Sequence, residues 1–141
     1  METQTSSTDG YVLRIGNEDL ETQVFNIGKY YSGAIRDFKR GTPILFARKV
    51  GPLGDSIIGY GVVDKVENLW EMTPEEEDYC RAHGWKLALT LGGTTHLNHV
   101  LPLSQSALKE DRRRGAFLHG AKLSETLIDT LLMEAESRQV Q

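Results

Sequence analysis

Two groups of residues in this chain have side chains able to do chemistry, and they ask for different kinds of it. The first group would catalyse or hold a metal: His96-x-x-His99 has a metal-like spacing, Cys80 is a thiol, and Glu75-Glu76-Glu77-Asp78 clusters carboxylates. Each also has a plainer reading. Side chains alternate along a strand, so His96 and His99 fall on opposite faces, and no third ligand is near in sequence. Cys80 sits among acids, whose charge keeps a thiol protonated and unreactive. The carboxylates follow Thr73-Pro74, where they open a helix and complement its dipole. No Gly-x-Ser-x-Gly elbow, Walker loop or dinucleotide fingerprint occurs. The expectation is therefore a protein that is not an enzyme and needs neither cofactor nor metal.

The second group would bind rather than react, through cations for phosphates and aromatic faces for bases. The net charge of −4 hides a segregation. Lys29 to Lys49 holds six basic residues against Asp37, a balance of +5; Asp64 to Asp78 holds seven acids against Lys65, a balance of −6; Lys109 to Arg114 comes to +2. If the fold joins the two basic segments, they make a cationic face for a polyanion. The alternative is a set of solvated faces. Phe25, Tyr30 and Tyr31 lie in or beside the first basic segment, and Trp70 follows a strand in a loop. Phe25 could equally plug the core, and one of the two tyrosines is expected to pack. Trp85 is assigned to the core, and Gly92-Gly93 to a hairpin turn rather than a phosphate cradle, since no helix follows it.

These residues need elements to hold them. Tyr11–Ile15 reads as a strand and Asn17–Val24 as a helix capped by Asn17. Phe25–Gly33 reads as irregular between two glycines, and Ala34–Lys39 as one helical turn. Ile44–Arg48 and Ser56–Val63, joined across Gly51-Pro-Leu-Gly-Asp55, form the clearest hairpin. Thr73-Pro74 opens a helix running to Ala82. Trp85–Leu91 alternates with Trp85, Leu87, Leu89 and Leu91 on one face; Gly92-Gly93 turns it, and His96 to Pro102 is extended. Ser104–Arg113 is weakly helical. Ser124 caps a final helix whose Leu127, Ile128, Leu131, Leu132 and Ala135 form one apolar stripe. About five strands with short helices around them make an α+β domain, a curved mixed sheet or open barrel.

At 141 residues, 39% hydrophobic and 26% charged, the chain has the size and composition of one globular domain, expected over 11–141 behind a flexible leader at 1–10. The N-terminus lacks the basic start and apolar segment of a secretory signal, and no apolar run has spanning length. One cysteine excludes an intramolecular disulfide and suits a reducing compartment. A cytoplasmic protein with no membrane partner is expected, and no signal of oligomeric state is present.

The order of segments resembles the EVE domain of the PUA-like superfamily, related to the YTH readers of N6-methyladenine. The resemblance rests on Tyr11-Val-Leu-Arg-Ile-Gly-Asn17, Val24-Phe25-Asn26, Ile35-Arg-Asp-Phe-Lys-Arg-Gly41-Thr-Pro-Ile-Leu-Phe46, Ile57-Ile-Gly-Tyr-Gly-Val-Val63, Trp85-Lys-Leu-Ala-Leu, Leu101-Pro-Leu103 and Phe117-Leu-His-Gly120. It implies a PUA-like barrel whose aromatic-lined pocket takes a methylated or hydroxymethylated cytosine, or a methyladenine, in nucleic acid. Asn17 would bond the base edge, and Phe25 and Trp70 would clasp the base. Tyr30 and Ser32 would complete the pocket. Lys29, Arg36, Arg112, Arg113, Arg114 and His119 would meet the backbone. Phe25 stands where the family has tryptophan, and a smaller ring covers less of a base. The implied partners are nucleic acid with a modified base and an effector protein. A small-ligand binder or minor enzyme on the same scaffold is the alternative, and a protein-interaction module using the acidic helix Pro74–Ala82 is a third reading.

Overall fold

Tyr11 and Leu13 in the first strand face one core while Val12 faces another, and this alternation sets the architecture. The computed structural model describes residues 9–140. Its elements are β1 (Gly10–Arg14), α1 (Glu18–Thr22) running into a π-helical turn (Gln23–Ile27), β2 (Lys29–Ser32), β3 (Pro43–Lys49), β4 (Asp55–Asn68), α2 (Pro74–Ala82), β5 (Leu87–Pro102), β6 (Ala121–Leu123) and α3 (Glu125–Gln139). The six strands make one sheet in the order β2-β5-β4-β3-β1-β6, curled into a half-barrel with the helices around it. Only β1 and β3 pair in parallel; every other neighbour is antiparallel.

Both faces of the central strands are buried. Tyr11, Leu13, Ile44, Phe46, Ile58 and Leu89 pack on one side. On the other, Val12, Leu45 and Ile57 lie in one cluster with the Ile128, Leu131 and Ala135 stripe of α3. That is the helix-on-sheet packing expected of this stripe, and each buried Leu, Ile or Phe contributes about 1.5–3 kcal/mol. The expected caps form as well. Asn17 accepts from Leu20 N, Thr73 from Glu76 N and Ser124 from Leu127 N, each satisfying an amide that the helix itself leaves unpaired.

The differences cluster at glycines. Phe25–Gly33 is not irregular: Gly28, at φ 78°, closes the π turn and leads directly into β2. Ala34–Lys39 makes no helical turn; burial of Phe38, which meets Tyr11 edge-on at 5.2 Å, draws it out along the barrel. β4 continues past Val63 to Asn68. Gly92-Gly93 does not turn the chain, because β5 runs through both and the register against β4 shifts there. A glycine at φ 59°, Gly93, lets a long strand bend where an L side chain would be strained. β5 begins only at Leu87, which leaves Trp85 ahead of it, and Ser104–Arg113 is helical only in the 3-10 turn Leu103–Gln105. The strands thus number six. Of the leader expected at 1–10, residues 1–8 lie outside the described residues and Gly10 already belongs to β1. Among the described residues no helix is long and apolar enough to cross a membrane.

Candidate binding groove

The parallel strands β1 and β3 end side by side, delivering Arg14 from one and Arg48-Lys49 from the other to the same rim. Three adjoining grooves run along it. The first, about 410 Å³, is lined by Glu21, Phe25, Asn26, Arg48 and His96 among others. The middle one, about 240 Å³, lies between Arg14, Asn17, Glu18, Arg48 and Lys49. The third, about 420 Å³, is formed by Arg14, Lys49, Asp55, Ser104, Arg114 and Gly115. Glu18, Glu21 and Arg48 are shared by the first two, and Arg14 and Lys49 by the last two.

In the first groove Phe25 lies over Gly59, where a Cβ would collide with its ring. Its edge meets Phe46 at 5.7 Å, and the imidazole of His96 stacks on it at 4.2 Å and 9°. His96 stands directly opposite Gly59 in the β4–β5 register, which explains how ring and glycine come together. His96 Nε2 bonds Glu21 Oε2 at 2.7 Å. Arg48 Nε lies 2.8 Å from Glu21 Oε1, near enough to pair in charge but off the line of a hydrogen bond. The His96 side chain is 49% exposed, so this pair presents ring surface to solvent.

Charge changes along the run. The first groove sets Glu18 and Glu21 against Arg48, whereas the third sets Arg14, Lys49 and Arg114 against Asp55 alone. Asp55 is already engaged, accepting from Arg14 Nη2 at 3.1 Å and from Gly115 N at 2.7 Å. Behind Arg14, His119 Nδ1 accepts from the Arg14 amide at 3.0 Å. Burial, Arg36 and Arg14 all lower the His119 pKa, holding that imidazole neutral.

The other expected site residues land in several places. Asn17 caps α1 and lines the middle groove. Tyr30 is buried and donates its hydroxyl to Arg14 O at 2.7 Å, and burial pushes its phenol pKa up. Ser32 is buried and exchanges hydrogen bonds with the backbone of Ala34. Both belong to the interior, because their polar atoms are consumed by backbone. Trp70 is 79% exposed in the 3-10 turn Leu69–Glu71 and lines none of the three grooves. From Gly59, beneath Phe25, to Asn68 the chain follows β4 for about 30 Å of strand. Phe25 and Trp70 therefore share none of the three grooves.

Of the expected backbone contacts, Arg114 alone lines one of these three grooves, its guanidinium held on the carbonyls of Asp111 and Arg113. Lys29 is tied to Glu76 at 2.7 Å. Arg36 donates to Gly120 O. Arg113 grips Asp111 and, with its amide, holds that carboxyl down at about 2. Arg112 is exposed. Trp85, assigned to the core, is partly buried against the cluster of Met72, Cys80 and Ala88, and it stacks with Tyr31 at 5.2 Å and with His83 at 4.5 Å. Cys80 is buried, and burial followed by Glu76 pushes its thiol pKa up. Among the described residues no three His, Cys, Asp or Glu side chains group so as to hold a metal ion.

Sequence reasoning missed Glu21, Arg48 and His96 as one unit, and Arg14 and Lys49 as rim cations. They lie on separate elements, and no local spacing announces that a strand register will join them. Comparison of the chain with family models, curated proteins and solved structures finds no match.

Proposed function

We propose that this chain binds a strand of nucleic acid along the run of grooves and does no chemistry on it. One base rests against the Phe25–His96 pair, and the phosphates follow the rim cations. A single observation carries the reading: Arg14, Arg48, Lys49 and Arg114, drawn from three separate stretches of chain, line grooves that adjoin a half-exposed aromatic pair. Stacking one base on an aromatic ring is worth about 1–3 kcal/mol, which offsets the few kcal/mol of taking it out of a helix. Glu21, in the same groove, has one carboxylate oxygen on His96 and the other beside Arg48, so it positions that pair for the base. The resemblance to EVE domains adds a modified base as the preferred occupant and an effector protein as the consumer of the signal.

The test is fluorescence anisotropy with labelled single strands carrying 5-methylcytosine, 5-hydroxymethylcytosine, N6-methyladenine or no modification, at several salt concentrations. Affinity should fall steeply with salt, and Lys49→Ala should make the slope shallower by about one. A modified strand should bind more tightly than the plain one. Absence of binding, or affinity indifferent to salt, would overturn the reading; equal affinity for all strands would remove the modified base from it.

A further inference from the structure

The geometry points to the third groove as a pocket for a phosphate monoester, the terminal phosphate of a strand rather than a diester within it. The strand itself rests on the function proposed above, but the pocket is argued from its own residues. Arg14, Lys49 and Arg114 approach it from β1, β3 and the loop before Gly115, with the Ser104 hydroxyl also in its lining. Asp55, its one carboxylate, has one oxygen on Arg14 and the other on the Gly115 amide, so it neutralises at most one of the three cations. What is left suits a dianion. A diester carries one charge at neutral pH, whereas a monoester carries between one and a half and two and offers three acceptor oxygens.

The donors are incompletely used. Arg14 Nε is buried and has no acceptor among the described residues, and a buried donor left unpaired is costly until an acceptor arrives. Lys49 is exposed and forms no ion pair among the described residues. Arg114 is fixed by backbone carbonyls rather than by a carboxylate, so its charge is positioned without being cancelled. Gly54 and Gly115 also line the pocket, and a Cβ at either would meet nothing, which leaves the space beside them open.

The experiment compares one labelled oligonucleotide bearing either a 5′-phosphate or a 5′-hydroxyl, and the same pair with the phosphate moved to the 3′ end. A terminal phosphate at one end should tighten binding about tenfold, and inorganic phosphate should compete this advantage away. Lys49→Ala should remove most of the advantage. Because Arg114 is half-buried, Arg114→Lys, which keeps the charge but loses the planar fork, serves as a second variant and should reduce it in part. Equal affinity for phosphorylated and unphosphorylated strands would overturn the pocket while leaving strand binding in place. If no strand binds, titration with inorganic phosphate alone decides. Amide shifts confined to Lys49, Arg114 and Gly115 in NMR spectra would sustain the pocket without the strand, and unchanged spectra would overturn it.

Discussion

Among the described residues two histidine–aromatic stacks stand out, and they are built to opposite ends. On the α2 side, Trp85 stacks with both Tyr31 and His83, with Tyr79 edge-on at 5.6 Å. The free edge of that cluster is tied down by charge: Tyr31 donates to Glu76 at 2.6 Å and Lys29 reaches the same carboxylate. Phe25 and His96 form a stack of two whose half-exposed end ring lines a groove, whereas His83, the exposed end of the other stack, lines none of the three. A ring with two stacked partners holds elements together; one that opens onto a groove is available to a ligand. Aromatic content alone does not separate these roles, because the difference lies in what the end ring opens onto.

Trp85→Ala breaks the comparison most severely. Removing the middle of the stack should cost about 2–4 kcal/mol, towards the low end for aromatic truncation because Trp85 is half-buried, and leave oligonucleotide affinity unchanged. Urea unfolding measured beside anisotropy checks both halves of that statement. His96→Ala should do the reverse: about 1–3 kcal/mol of affinity lost, but less than about 1 kcal/mol of stability, since its hydrogen bond with Glu21 is part-exposed. A His96→Ala protein with undiminished affinity would make both stacks structural.

The ionic tie on α2 gives a smaller, pH-dependent effect. Lys29 and then Tyr31 hold the Glu76 pKa below its ordinary 4.5. A depressed carboxyl stabilises the fold fully above its unfolded value and loses that contribution as pH falls through the folded one. Glu76→Gln should therefore lower stability slightly at pH 7, by less than about 1 kcal/mol, with a correspondingly small drop in melting temperature, and the difference from wild type should close in strong acid. Thermal melts of both proteins from pH 7 to pH 2 would show it, and a gap constant over that range would remove the tie. The smallest effect belongs to Trp70→Ala, which should change stability by no more than about 0.5 kcal/mol and leave base preference intact, as that ring lies outside all three grooves. A lost preference would restore Trp70 to the site.

Elements with a local chemical mark were legible. Thr73-Pro74 and Ser124 name their helices because capping is written within four residues, and the β3–β4 hairpin shows in its turn. Glycines misled where their freedom served continuity instead of reversal: Gly28 passes the chain from a π turn into β2, and Gly93 bends β5 without ending it. β2 itself, four residues long, is too short for alternation to emerge. The site was legible only in part. Phe25, Asn17 and Arg114 stand out by type, whereas the rim of Arg14, Arg48 and Lys49 exists because two strand ends coincide, and the Glu21–His96 bond spans 75 positions.

The place of β1 also bears on how the chain acquires its shape. Made first, β1 has its two neighbours in β3 and β6, and β6 comes only at Ala121–Leu123. At about 5–20 residues per second, a ribosome leaves the outer edge of Gly10–Val12 unpaired for on the order of ten seconds. During that interval the edge is a bare row of donors and acceptors, open to another chain's strand. Contacts so distant in sequence repay their loop entropy late, which predicts slow folding, with the β1–β6 seam closing among the last steps.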